Sequence, residues 1–412
     1  MMRLPRPSPT GIFPRSFPPH RSHHAPKAIG PGLVRAGRPL RATLAGALIG
    51  PTDSGSVHVS RFTLLGLLAL FACAVLARPA AAACAGGSFP RPELARFATR
   101  VAKRDSLQRQ KVLAVLEQAC REPSIVTLMN RPPEQVLHWW QYRRIFMTPK
   151  RIEEGAAFWR AHAAALERIG AEQGVAPRYI VAILGVETFY GHITGSFRVL
   201  DALATLTFDY PARSRFFGQE LAQFLLLTHR YGLDPLTVRG SYAGAMGPLQ
   251  FIPSSYLRYA VSTDGQAPNL FTDWDDIFAS IAHYLHANGW QPGGPVLARV
   301  RIEPGATFQV DPDTLALDRT IGGLAAQGVQ VESAAPPNTP VALLLAGRRT
   351  GPIYRAGFNN FRVLLTYNSS KLYAMAVNDL AQAIARRVAT ENGARRADVA
   401  IPQPTESGVA RQ

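Results

Sequence analysis

Cysteine is nearly absent from this 412-residue chain, which holds three: Cys73, Cys84 and Cys120. Three thiols allow one intramolecular disulfide at most, so the fold has to rest on an apolar core rather than on a disulfide framework. Acids are short as well, 28 Asp and Glu against 45 Lys and Arg, for a formal charge of +17. The shortage is uneven. Residues 1–60 carry eight basic side chains and one acid, Asp53, among many Pro, Ser and His, without apolar periodicity. Such a stretch cannot bury a core. No run reaches the roughly 20 apolar residues that span a bilayer as a helix. No internal repeat points to a solenoid.

What is present begins with "RFTLLGLLALFACAVLARPAAAAC", residues 61–84. Arg61, the apolar stretch 63–77 and the small residues Ala80–Ala83 are the three parts of a secretory signal peptide. A signal this deep implies that translation starts later, near Val57 or Val59 on a non-Met codon. The competing reading is a genuine basic amino-terminal arm. Removing residues 1–83 takes away ten basic residues and one acid, which lowers the formal charge from +17 to +8. A moderately basic exported protein suits an acidic polymer or surface. Cys84 and Cys120 would survive, to pair in an oxidising compartment, or Cys84 could be lipidated at the new amino terminus. Soluble export is preferred: "AAA" before Cys84 lacks a large apolar residue, and Arg78-Pro79 ends the apolar stretch early.

The whole 412-residue sequence is 47% hydrophobic and 18% charged, enough for one large or two to three small units with an ample core. "RPELARFATRVAKR", "LQRQKVLAVLEQAC" and "RIEEGAAFWRAHAAALERI" space their apolar residues as helices do, and Glu134 starts a further helix after Pro132-Pro133. Helices continue from 175 to 290; near Pro292 the texture turns β-rich until about residue 358, then "NFRVLLTYNSSKLYAMAVNDLAQAIARR" is helical again. The expected fold is mainly α with a small β insertion. Its parts are a helical accessory region over 84–174, a core over 175–291, a β-rich insertion over 292–358, a return helix over 359–389 that completes the core, and a polar flexible tail over 390–412.

Three segments hold chemistry. "AILGVETFYGHITG", residues 182–195, sets one carboxylate, Glu187, into an apolar helix, beside Gly185, which lets another element approach. Burying a lone charge costs on the order of several kcal/mol unless it is paired or neutralised. Desolvation favours the protonated acid, and a protonated carboxyl is what glycosidic-bond cleavage needs. A Glu satisfied by an Arg or a backbone amide fits this segment equally well. "RGSYAGAMGPLQFIPSSY", residues 239–256, has three glycines within eight residues, flanked by Ser241 and Gln250. It lacks the Lys and the strand–helix setting of a phosphate loop. "LLTYNSSKLYAMAV", residues 364–377, places Tyr367, Asn368 and Tyr373 at a loop-to-helix junction. Rings beside amides suit sugars, although buried tyrosines of the core read the same way.

Together, "VETFYG" and, about sixty residues on, "GAMGPLQF" resemble the pattern of lysozyme-like transglycosylases. "GSYAGAMGPLQFIPSSYLRYAV", "ASIAHYLHANGW", "NFRVLLTYNSSKLYAMAV" and the upstream "WWQYRRIFMTPKRIEEGAAFW" look like the membrane-bound lytic transglycosylase B family, over about residues 90 to 388. The resemblance implies a lysozyme-like helical core with an accessory helical region and a small antiparallel β domain. It implies a carbon–oxygen lyase that cuts the MurNAc–GlcNAc bond of peptidoglycan in the periplasm, with Glu187 as its single acid/base. Ser241, Gln250 and Asn368 fall on polar positions of the family's groove, and Tyr142, Tyr284, Tyr367 and Tyr373 on tyrosines that line it.

By the same resemblance, the C6 hydroxyl of MurNAc attacks C1 to give a 1,6-anhydro product, aided by the sugar's 2-acetamido group, which Ser241 would orient. Asp201 and Asp209 follow Glu187 in sequence, with nothing to place them at the site. No cofactor is implied as required. Members of the family can carry an EF-hand-like calcium loop, but "VSTDGQAPNLFTDWDD" has only Asp264 in its first half and is stiffened by Pro268, with Asp273, Asp275 and Asp276 arriving late. That depletion argues against calcium, and no residue is assigned as a metal ligand. The expected partners are peptidoglycan strands, with other cell-wall enzymes as further candidates; nucleic acid is not expected, and the protein is expected to be a monomer. The rival readings are a hydrolytic muramidase on the same scaffold and a non-catalytic peptidoglycan-binding scaffold.

Overall fold

The computed structural model describes Cys84 and residues 86–130, 137–311, 315–348 and 351–399. The basic extension, the signal peptide and the helix start at Glu134 lie outside the described residues.

Helices dominate. Among the described residues, seven lead to the catalytic candidate: α1 (Arg91–Asp105), α2 (Arg109–Leu116), α3 (Pro123–Met129), α4 (Trp139–Phe146), α5 (Pro149–Ala161), α6 (Ala163–Gln173) and α7 (Pro177–Thr188). After the short strand β1 (Phe197–Arg198) come α8 (Val199–Phe208) and α9 (Ser214–Tyr231), then β2 (Arg239–Gly240), α10 (Pro253–Tyr259) and α11 (Trp274–Ala287). Their starts follow the chain's own chemistry. Pro149, Pro177 and Pro253 stand in the first turns, where no backbone donor is needed. The Thr148 hydroxyl accepts from Arg151 N, and the Asp273 carboxylate accepts from Asp275 N and Asp276 N.

The β insertion is a five-stranded antiparallel sheet of β3 (Leu297–Ile302), β4 (Arg319–Thr320), β5 (Val329–Val331), β6 (Pro340–Arg348) and β7 (Gly351–Gly357), ordered β4-β6-β7-β3-β5. A short helix, α12 (Ile321–Ala325), sits within it. The sheet has a small core of its own around Leu324, Val329, Val341, Leu343 and Phe358, separate from the large helical core. The chain then returns through α13 (Asn359–Tyr367) and α14 (Lys371–Val399), and α14 packs on α4, α5 and α7. The fold is the expected mainly helical one with a small antiparallel β insertion.

Three local features differ from the sequence pattern. "RIEEGAAFWRAHAAALERI" is two helices, broken at His162 with ψ 21°. The final helical stretch is interrupted by Asn368–Ser370, between α13 and α14. The last helix runs ten residues past Ala389, to Val399, and its Arg387–Glu391 pair at 2.8 Å spans one turn of that extension. At the other end, Cys84 and Cys120 form a disulfide, with Cα atoms 5.2 Å apart.

Candidate active site

Helix α7 is buried on nearly every side from Tyr179 to Gly185, which is why its sequence lacks a polar face. Glu187 lies in its last turn and is half-buried, at the point where the helix leaves the core. The helix stops abruptly. Phe189, Tyr190 and Gly191 take φ values of 52°, 60° and 88° in succession. Two bulky residues in the left-handed region cost roughly 1–3 kcal/mol each and persist only where the surroundings over-determine them.

Those surroundings are identifiable. The Tyr190 hydroxyl donates to the Arg151 carbonyl at 2.7 Å. Its ring covers Gly185, where an added Cβ would lie 2.8 Å from it, so the element that Gly185 admits is Tyr190 from the very next turn. The Arg151 guanidinium stands 4.9 Å over the Phe189 ring and 5.1 Å over Phe146. Thr188 ties the same turn to the glycine-rich loop: its hydroxyl donates to Pro248 O at 2.7 Å and accepts from Gly191 N at 3.0 Å. Thr188 enters the sequence pattern only as the residue after Glu187 in "VETFYG", and Tyr190 has no assigned role there. The one signal for Tyr190 was the glycine that makes room for it.

The glycine-rich loop is set beside α7 by the pairing of Phe197 with Gly240. Gly247 holds φ 67°, and a Cβ there would meet the Leu270 carbonyl at 2.2 Å, so a side chain is excluded on both counts. Ser241 Oγ accepts from Ala243 N at 3.3 Å and Ala245 N at 3.1 Å, which shapes the loop from within. Gln250 takes a left-handed φ of 54°, and its amide nitrogen donates to Thr194 O at 3.1 Å and Gly247 O at 2.9 Å.

The tyrosines form one connected group. Tyr367 donates to Leu249 O at 2.6 Å, and Tyr284 to Thr366 O at 2.5 Å. The Tyr284 and Tyr367 rings are 4.9 Å apart, and Tyr367 lies nearly parallel to Tyr373 at 6.3 Å. Burial, and after it the neighbouring Glu187 carboxylate, pushes both Tyr367 and Tyr373 well above the ordinary phenol range. Both are therefore neutral phenols beside Glu187. Tyr142 stands next in line, adding to the shift of Tyr373. Asn368 caps the break between α13 and α14, its Oδ1 accepting from Ser370 N at 3.0 Å.

One expectation changes in kind. Tyr142, Tyr284 and Tyr373 are only 2%, 8% and 2% exposed, so their rings are floor rather than open platforms for sugars. Their packing, and the carbonyl that Tyr284 serves, account for that burial.

Neither later acid joins the site. Asp201 is bound by Arg198 at 2.6 Å and by Cys120 N at 2.8 Å, and Asp209 by Arg121 at 2.9 Å. In the calcium-like loop, Asp276 is buried and accepts from Thr263 N at 2.7 Å and Asn269 N at 2.9 Å. Asp264 accepts from Ser262 and Gln266, and Asp273 caps α11. Asp264, Asp273 and Asp276 thus bind the loop's own backbone and hydroxyls, while Asp275 pairs with Arg168 at 2.8 Å. Among the described residues, no cluster of three or more His, Cys, Asp or Glu is placed to hold a metal ion.

Residues 90–382 match the family described as Transglycosylase SLT domain. The chain belongs to that family. It is 37% identical over 311 residues to Membrane-bound lytic murein transglycosylase B of Escherichia coli, covering 73% of this chain and 85% of the relative. The soluble lytic transglycosylase SltB1 of Pseudomonas aeruginosa is 40% identical, with a TM-score of 0.65 over 72% of this chain and 99% of the other. The Escherichia coli lytic transglycosylase Slt35, solved in complex with calcium, is 37% identical, with a TM-score of 0.66 over 74% and 96%. This member of the family thus has the lysozyme-like transglycosylase fold, and Glu187 stands at the end of one of its core helices.

Proposed function

We propose that this chain is a lytic transglycosylase that cleaves the β-1,4 bond between MurNAc and GlcNAc in peptidoglycan, with Glu187 as its only acid/base. The observation that carries this reading is the setting of Glu187. It is one half-buried carboxylate at the end of a core helix, faced by two phenols that stay neutral, while Asp201 and Asp209 are bound elsewhere.

Protonated Glu187 gives its proton to the glycosidic oxygen as the bond from MurNAc C1 to that oxygen breaks. Positive charge builds at C1 and the ring oxygen, and the 2-acetamido oxygen of the same sugar stabilises it. The Glu187 carboxylate then takes the proton of the C6 hydroxyl, and O6 bonds to C1. The acid is restored, and a 1,6-anhydro sugar leaves without water being consumed. Ser241 orients the acetamido group, and Gln250, Asn368 and the half-buried face of Tyr367 hold the strand.

In this reading residues 175–291 and 359–389 make the catalytic core, 84–174 an accessory region and 292–358 the β insertion. The protein acts as a monomer on glycan strands in the periplasm after signal-peptide cleavage. Cys84 sulfur engaged with Cys120 is not available for a lipid thioether. Among the described residues, no helix is long and apolar enough to cross a membrane.

Mass spectrometry of soluble products from purified residues 84–412 acting on peptidoglycan, beside Glu187→Gln, tests the reading. Anhydro-muropeptides that vanish in the variant are expected. Products heavier by one water would make the protein a muramidase, and binding without product a scaffold.

A further inference from the structure

A cavity of about 870 Å³ opens between α4 and the β insertion, away from Glu187. Its charges are unusual. Arg299 of β3 and Arg355 of β7 are direct cross-strand partners, an arrangement in which like charges destabilise a sheet. Arg143 of α4 lines the same cavity. One carboxylate, Asp379 of α14, answers two of the three guanidiniums, Arg143 at 3.0 Å and Arg355 at 3.7 Å. Glu332, whose backbone N–H donates to the Arg299 carbonyl at 2.9 Å, lines the cavity as well, but among the described residues no carboxylate lies within ion-pair distance of Arg299, which is exposed. Trp139, Trp140 and Tyr354 supply the apolar walls.

Asp379 answers Arg143 and Arg355, while Arg299, with Glu332 lining the cavity beside it but beyond ion-pair distance, keeps an open fork for another anion, and the planar guanidinium fork matches a carboxylate best. The cavity also shares its helices with the catalytic wall. Tyr142 and Arg143 are neighbours on α4, and Asp379 follows Tyr373 by six residues of α14, about 9 Å along the axis. An extended peptide advances about 3.3 Å per residue, so a peptide anchored on a sugar beside Tyr373 reaches the arginines by its third or fourth residue.

We infer that this cavity binds the carboxylates of the stem peptide carried by MurNAc, gripping a peptide-bearing strand at a second place beyond the scissile bond. The inference rests on the proposed peptidoglycan substrate. Arg143 and Arg355 with Asp379 form the fixed part of the site, Arg299 supplies the open fork, and Trp140 packs against the peptide's aliphatic atoms.

Arg299→Glu tests it without breaking an ion pair, and it exchanges the repulsion toward Arg355 for one toward Glu332 on the other neighbouring strand, so its thermal midpoint should stay near that of the wild type. Its kcat/KM should fall about tenfold or more on peptide-bearing strands, the worth of one charge-assisted hydrogen bond. Strands stripped of peptide by an amidase should be cleaved at the wild-type rate. Equal effects on both strands, or none on either, would overturn the inference. Calorimetry with the free tripeptide L-Ala-γ-D-Glu-meso-diaminopimelate decides the matter apart from turnover. Binding by the wild type that Arg299→Glu abolishes upholds the site, and absent or unchanged binding refutes it. A wild type that cleaves neither strand would defeat the proposed activity instead, leaving the tripeptide result to judge the cavity.

Discussion

The hydroxyl of Tyr190 donates its hydrogen bond to the carbonyl of Arg151, and this bond spans 39 residues to lock the turn that follows Glu187. The turn is strained, with Phe189 and Tyr190 both left-handed, and the bond is one of the contacts that offset the strain. Tyr190→Phe leaves a carbonyl without its partner in a part-buried place, at a cost of about 1–3 kcal/mol. Gly185→Ala would press a methyl into the Tyr190 ring, which costs roughly 1–3 kcal/mol of overpacking. Both variants should lower the urea midpoint. Gly185→Ala, two residues from Glu187, should also lower kcat, which a turnover assay on purified sacculi would read. Unchanged midpoints in both would show that the turn is held by other means.

Thr188 makes a second prediction. Its hydroxyl links the end of α7 to the glycine-rich loop through Pro248 O while accepting from Gly191 N. Thr188→Val keeps the shape and removes both bonds in a site only 1% exposed. The expected result is a loss of about 2 kcal/mol or more of stability and a fall in kcat larger than any change in KM. Thr188→Ser should restore most of both. If Thr188→Val turned over substrate as wild type does, the link would have no part in placing Glu187.

Stability should also depend on pH through Glu220. This acid is 4% exposed and accepts from both Ser254 N and Ser254 Oγ, joining α9 to the start of α10. Burial raises its pKa above 4.5, and the Ser254 bonds offset that only in part. An acid with a raised folded pKa holds its proton more tightly when folded than when unfolded. Its contribution is therefore most favourable below the ordinary carboxyl range. It declines as pH climbs from 4.5 toward the raised value, and the penalty is complete above it. Glu220→Gln removes that penalty. Thermal midpoints should favour the variant at pH 7 and lose that advantage at pH 4. A difference that is constant with pH would contradict the shift.

How much of this was legible follows from the range of the interactions. Glu187 stood out because a lone carboxylate in an apolar helix violates a local rule, and the glycine spacing of 240–247 marked a loop. Tyr190 did not stand out. Nothing local says that an aromatic residue will take a left-handed backbone where glycine is the ordinary choice, because the reason is Arg151, 39 positions away. The group of Arg143, Arg355 and Asp379 is beyond any local reading, with Arg143 and Asp379 236 residues apart. The break at His162 has no Gly or Pro to announce it. The tyrosines were legible as a set, but whether their rings face solvent depends on packing that pattern does not encode.

The disulfide gives the last prediction. Cys84 and Cys120 close a loop 36 residues apart in sequence, fastening the segment before α1 to the segment before α3. The Cys120 end is well anchored: its backbone N–H donates to Asp201, and Arg198, paired with Asp201, also reaches its sulfur at 3.6 Å. Closing a loop of this length restricts the unfolded chain and stabilises the fold by about 2–4 kcal/mol. Reduction, or Cys120→Ser, should therefore lower the thermal midpoint while leaving kcat on peptidoglycan near that of the wild type, since neither cysteine lies near Glu187 in the hydrogen-bond network. Protein recovered from the cell envelope should resist thiol alkylation until it is reduced and then take up two labels. Uptake of one label after reduction, together with a mass increase matching a diacylglycerol, would mean that Cys84 is lipidated in the cell and that the soluble, disulfide-bonded form is not the native one.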